Sequence, residues 1–95
     1  MSSELIRRVR AMEEDYNAVA EAVKALEEAV AGFEEVACRL QRLSEYMDSG
    51  QWRRDFEADE ARLLPSDLPR GVLSEDGLYN LLEDVEALRA RLKEL

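Results

Sequence analysis

Residues 3–47 read SELIRRVRAMEEDYNAVAEAVKALEEAVAGFEEVACRLQRLSEYM. Apolar or small side chains recur at Leu5, Val9, Met12, Tyr16, Val19, Val23, Leu26, Val30, Phe33, Ala37, Leu40, Ser44 and Met47. Their spacing alternates four and three, a 3.5-residue repeat, which is the period of a helix carrying a left-handed coiled-coil seam. Leu5, Met12, Val19, Leu26, Phe33, Leu40 and Met47 take heptad position d. Val9, Tyr16, Val23, Val30, Ala37 and Ser44 take position a. No proline interrupts the run, so one helix of about 65 Å is expected.

The flanks qualify this seam. Position g runs Arg8, Asp15, Ala22, Ala29, Val36 and Leu43, becoming apolar toward its C-terminal end. A stripe that widens this way favours a small bundle over a bare two-stranded zipper. Position f repeats glutamate at Glu14, Glu21, Glu28 and Glu35, which reads either as an acidic docking ridge or, more simply, as a solvated outer face. Gly32 sits mid-helix on the polar side, as a kink, a close contact or a tolerated surface glycine.

A second helix is expected from Ser74 to the end. Ser74 is a suitable N-cap, and Glu75 and Asp76 would fall in a first turn that favours acids. Leu78, Leu81, Val85, Leu88, Leu92 and Leu95 form its apolar stripe. It is about half as long as the first helix, so it can lie antiparallel against only the C-terminal half of it. Leu5, Val9, Met12, Tyr16, Val19 and Val23 are then left without an intramolecular partner: either helix one breaks near Gly32 and folds over, or these residues bind another chain and are candidates for self-association. Between the helices, Asp48-Ser49-Gly50 reads as a helix stop. A short helix is expected from about Gln51 to Leu63, ended by Pro65 and Pro69. The expected fold is all-α and a single domain over residues 1–95: a long heptad helix (1–47), an ordered connector with a short helix (48–73), and an antiparallel C-terminal helix (74–95), as a coiled-coil hairpin or small bundle.

Composition narrows the function classes. Thirteen Lys and Arg against 22 Asp and Glu, with no histidine, give a formal net charge of −9. That balance argues against nucleic-acid or anionic-membrane partners, both of which require clustered cations. No apolar run approaches the roughly 20 residues of a membrane span, and the N-terminal residues lack the apolar core of a signal peptide. Cys38 is the one cysteine, so it can form no intramolecular disulfide, and a cytoplasmic location is expected.

Chemistry would have to come from the connector. Asp55, Glu57, Asp59, Glu60, Asp67, Glu75 and Asp76 crowd it, and dense carboxylates can hold Mg²⁺ or Ca²⁺. As a calcium loop, Asp55, Glu57 and Asp59 fit the first, third and fifth positions. The sixth, which should be Gly, is Glu60, and the twelfth, which should be Glu, is Ser66. Glu57 with Glu60, and Glu45 with Asp48, have the spacing of acids in helical nucleotide pyrophosphohydrolases, which a glutamate-rich helix also produces by chance. No base is available to activate Cys38, which falls at an outward b position. No catalytic residue, cofactor or metal site is therefore assigned, and an enzyme is not expected. The acids more simply cap helices and pair with arginines, Arg70 in particular. Trp52, Phe56, Tyr46 and Tyr79 either form a recognition pocket or plug the open end between the helices.

The run Trp52-Arg-Arg-Asp55-Phe56-Glu57-Ala-Asp59-Glu60, then Leu64-Pro65, then Leu68-Pro-Arg70-Gly71-Val72-Leu73-Ser74-Glu75-Asp76-Gly-Leu78-Tyr79, resembles the bacterial family catalogued as domain of unknown function 4298. The resemblance covers nearly the whole chain. It implies bacterial origin and a helical hairpin, and it brings no activity with it. The residues themselves point to a protein-interaction or scaffolding module that associates with itself or another protein. Two alternatives are an acidic nucleic-acid mimic that blocks a basic groove, and a divalent-metal enzyme using the connector carboxylates.

Overall fold

A computed structural model describes residues 2–95, so residue 1 of the expected long helix lies outside the described residues. The described residues form helices and turns without strands: α1 (Ser2–Asp48), α2 (Gln51–Glu60), a 3-10 turn (Gly71–Leu73) and α3 (Gly77–Lys93). The all-α class and the order of long helix, helical connector and C-terminal helix are those the heptad and turn residues dictate. Among the described residues no helix is long and apolar enough to cross a membrane. By internal contacts the chain divides into two units, one ending at Ala37 and the other Cys38–Leu95.

The first unit is α1 alone. The helix passes through Gly32 without a break, and a Cβ built there would meet nothing within 4 Å. Gly32 is thus a surface glycine and not a hinge. The a and d side chains from Leu5 to Phe33 are 40–69% exposed, with Tyr16 the most open.

The second unit holds the core. Trp52, Leu73 and Leu78 are its buried residues, with Leu43, Tyr46, Met47, Phe56, Leu64 and Leu82 packed around them. Its local geometry follows from a few backbone decisions. Gly50, at φ 84°, adopts the left-handed conformation that ends α1 and admits α2 within two residues. The Ser49 hydroxyl donates to the Tyr46 carbonyl at 3.3 Å and accepts the Gln51 N–H at 3.3 Å, serving one helix end and the next helix start.

α2 stops at Glu60, three residues before the expected Leu63. The Leu63 N–H bonds to the Ala58 carbonyl at 3.0 Å and the Arg62 N–H to that of Asp59 at 2.9 Å, the paired bonds of a Schellman ending. That ending puts a left-handed residue at its centre, and here it is Arg62, at φ 60°. The side chain strains a backbone shape that glycine adopts freely. Arg62→Gly is expected to raise stability by about 0.5–1 kcal/mol, seen as a higher urea midpoint. An unchanged midpoint would show that Arg62 holds this shape without strain.

The last helix also begins later than its sequence signals indicate. α3 starts at Gly77, with Asp76 at the N-cap and making no side-chain capping bond. Ser74 does not cap it: its hydroxyl donates to the Gly71 carbonyl at 2.8 Å, closing the 3-10 turn instead. Glu75 and Asp76 therefore precede α3 and do not occupy its first turn. Burial on α3 is confined to its first half, at Leu78, Leu82 and Val85, while Leu81, Leu88, Leu92 and Leu95 are exposed. The 3-10 turn packs against both α2 and α3.

Candidate functional site

The connector gathers most of the residues singled out by their chemistry. Trp52 lies on the inner face of α2, 8% exposed. Its indole N–H donates to the Val72 carbonyl at 2.8 Å, tying α2 to the 3-10 turn. Phe56, one turn later, stacks on it with ring centroids 5.0 Å apart and planes inclined by 19°. The Arg53 guanidinium lies 5.9 Å from the indole centroid, within cation–π range. Trp52 and Phe56 pack in a core that includes Leu43, Met47, Leu78 and Leu82; Leu40 is only half-buried. Tyr79 is exposed and stands at the rim of a surface recess that Met47, Trp52, Arg53, Phe56, Glu75 and Asp76 also line.

Arg70 organises the acids. It pairs with Asp59 on α2 at 3.0 Å. The same guanidinium donates to the carbonyls of Leu68 at 3.3 Å, Pro65 at 3.4 Å and Ser66 at 2.9 Å. One planar fork thus holds residues 65–70 against α2, a role that lysine's single ammonium cannot fill. Glu57 and Glu60 are exposed on the outer face of α2. Gly71 supplies the carbonyl that Ser74 binds. Gly77 was not singled out by the sequence reading, yet a Cβ there would fall on the Ser74 hydroxyl and 3.1 Å from the Gly71 carbonyl. The Glu-Asp-Gly sequence before the apolar stripe was its one visible signal.

Asp55 has different partners. It accepts the Tyr46 hydroxyl at 2.6 Å and the Gln51 side-chain amide at 2.8 Å, linking the end of α1 to α2. Hydrogen bonds from Tyr46 and then Gln51, with a smaller effect of the Arg54 charge, hold its carboxyl below the ordinary range against the opposing effect of burial. Burial, followed by the hydrogen bond and charge of Asp55, pushes the Tyr46 phenol up to about 12.

The two shifts bracket a pH window. A folded state that favours ionised Asp55 gains support above the ordinary carboxylate range and loses it as pH falls through the lowered value. A folded state that favours protonated Tyr46 keeps its support below pH 10.0 and loses it as pH rises toward about 12. The phenolate absorbance of the chain should therefore include a phase displaced above 10.0, and Tyr46→Phe should remove that phase. A variant that loses only an undisplaced phase would contradict the Tyr46–Asp55 bond.

The arrangement of these groups is that of a structural joint. Among the described residues no three His, Cys, Asp or Glu side chains converge on a point where a metal could sit. Cys38 is exposed and free. Of the residues that carry the family resemblance, Trp52, Phe56, Asp59, Arg70, Leu73 and Leu78 build the joint. The family described as Domain of unknown function (DUF4298) matches residues 9–94. The chain belongs to this family. No curated protein and no solved structure matches it. The match to Domain of unknown function (DUF4298) takes in both the connector and the heptad helix from Val9 onward, so all of the exposed seam except Leu5 lies within the matched residues.

Proposed function

We propose that this chain is a protein-interaction module, a binding and not a catalytic protein, and that its partner is a second copy of itself seated on the apolar stripe of α1. One observation carries the reading. The a and d side chains from Leu5 to Phe33 form a continuous seam, and every one of them is 40–69% exposed. Contiguous apolar surface of this kind marks an interaction site. Burying it is worth roughly 1.5–3 kcal/mol for each large side chain fully covered. A single helix in water has little else to stabilise it, because most helical stability in proteins comes from tertiary packing. The connector supplies that packing only to the end of α1, at Leu43, Tyr46 and Met47.

The other readings have less behind them. Nucleic-acid mimicry rests on the net charge of −9 alone. A metal enzyme would need converging ligands, and the connector acids are spent on Tyr46, Gln51 and Arg70 or stand apart on the surface. An exposed free thiol at Cys38 accords with a reducing compartment such as the cytoplasm.

Association makes stability depend on concentration. The melting temperature of the α1 signal in circular dichroism is expected to rise over a hundredfold increase in protein concentration. Added salt should raise it further, because each chain brings a charge of −9 to the complex. A melting temperature independent of concentration would remove the self-association reading. A complex with a basic partner would instead weaken in salt.

A further inference from the structure

We infer that the second copy lies parallel to the first and in register over Leu5 to Phe33, as a two-stranded coiled coil. This rests on the self-association proposed above and adds its orientation.

The seam has the width for two strands only where it is unpartnered. Its apolar broadening at position g occurs at Val36 and Leu43, and Leu43 is already taken by the core of the second unit. From Leu5 to Phe33, position g offers only Arg8, Asp15, Ala22 and Ala29. The seam itself has Val9, Tyr16, Val23 and Val30 at a, and Leu5, Met12, Val19, Leu26 and Phe33 at d. Among parallel coils, β-branched residues at a, as at the three valines, with leucine at d, as at Leu5 and Leu26, favour two strands.

Flanking charge sets the direction. In a parallel pair, a g residue faces the e residue five positions later on the other chain. Arg8 at g then meets Glu13 at e of the second copy, and twofold symmetry makes that contact twice. The remaining pairs, Asp15 with Ala20, Ala22 with Glu27 and Ala29 with Glu34, place no like charges together. In an antiparallel pair, e residues face e residues. Position e holds Ile6, Glu13, Ala20, Glu27 and Glu34, so every such register sets acid against acid or against an apolar side chain. Arg8 would find Asp15 of an antiparallel copy only by sliding most of the seam out of contact.

Two measurements test direction separately from association. The first uses Met12→Cys in a Cys38→Ser background, equilibrated in a glutathione redox buffer, with Glu14→Cys at the outward f position as control. Residue 12 faces residue 12 in the parallel pair, whereas it lies near Val30 in a centred antiparallel one. The expected result is a disulfide-linked Met12→Cys dimer and none for Glu14→Cys. A crosslink formed only when Met12→Cys is mixed with Val30→Cys would overturn the parallel arrangement and leave self-association standing. No crosslink, together with a monomer in sedimentation, would overturn both.

The second measurement is the dissociation constant of charge variants. Glu13→Arg should weaken the parallel pair about fivefold or more, because the introduced guanidinium would face Arg8 of the other chain, and adding Arg8→Glu should restore it. An antiparallel pair would instead tighten with Glu13→Arg, because the introduced charge would face glutamate.

Discussion

Replacing Trp52 with alanine is expected to lower stability by about 3–5 kcal/mol, the penalty for truncating a large buried aromatic. The magnitude follows from how little else is buried. Trp52, Leu73 and Leu78 are the core, and Trp52 is the largest of them. The truncation removes the ring that Phe56 stacks on and the N–H that holds the Val72 carbonyl. Against the roughly 5–15 kcal/mol typical of a whole domain, that loss is a large fraction. Trp52→Phe should be milder, since it keeps an aromatic against Phe56 and gives up the indole bond. Urea unfolding followed by circular dichroism, at fixed protein concentration, reads both. A change within about 0.5 kcal/mol for Trp52→Ala would place the indole at a surface site and return it to the list of recognition residues.

The second large effect belongs to the seam. Val23→Asp puts a carboxylate at a central a position, where a paired helix would have to bury it. It also removes the apolar contact of two valines, one from each chain. The dissociation constant is expected to rise by about a hundredfold or more, with loss of helical signal from residues 2–37 at low micromolar concentration. Glu21→Lys, on the outer f face, should change neither. An unaltered association state for Val23→Asp would mean that this face of α1 is not the contact.

These two sites also show where the sequence was informative. The heptad positions of α1 were legible because a 3.5 period over many turns admits one secondary structure. The same positions could not reveal what covers them, since exposure in a lone chain is a tertiary fact. Trp52 and Phe56 announced a buried patch by size and helical spacing, and Arg70 announced an ion pair by sitting among acids. Choosing Asp59 over Asp55, Glu57 and Glu60 needed the backbone, because α2 turns only Asp59 toward the loop that Arg70 closes. The start of α3 was misplaced for a related reason. Ser74 carries good capping chemistry, but the 3-10 turn offers its hydroxyl the nearer Gly71 carbonyl, and the helix waits until Gly77. The early end of α2 was hidden because arginine, unlike glycine, gives no hint of a left-handed residue. Tyr46 sits at an unremarkable c position, and its bond to Asp55 appears only once Gly50 folds the chain back.

Sedimentation equilibrium of the full chain across the micromolar range tests the central claim most directly. If the exposed face of α1 is covered by a second copy, the weight-average mass should climb to twice the 10.9 kDa of one chain as concentration rises. A mass that stays at 10.9 kDa throughout would contradict it.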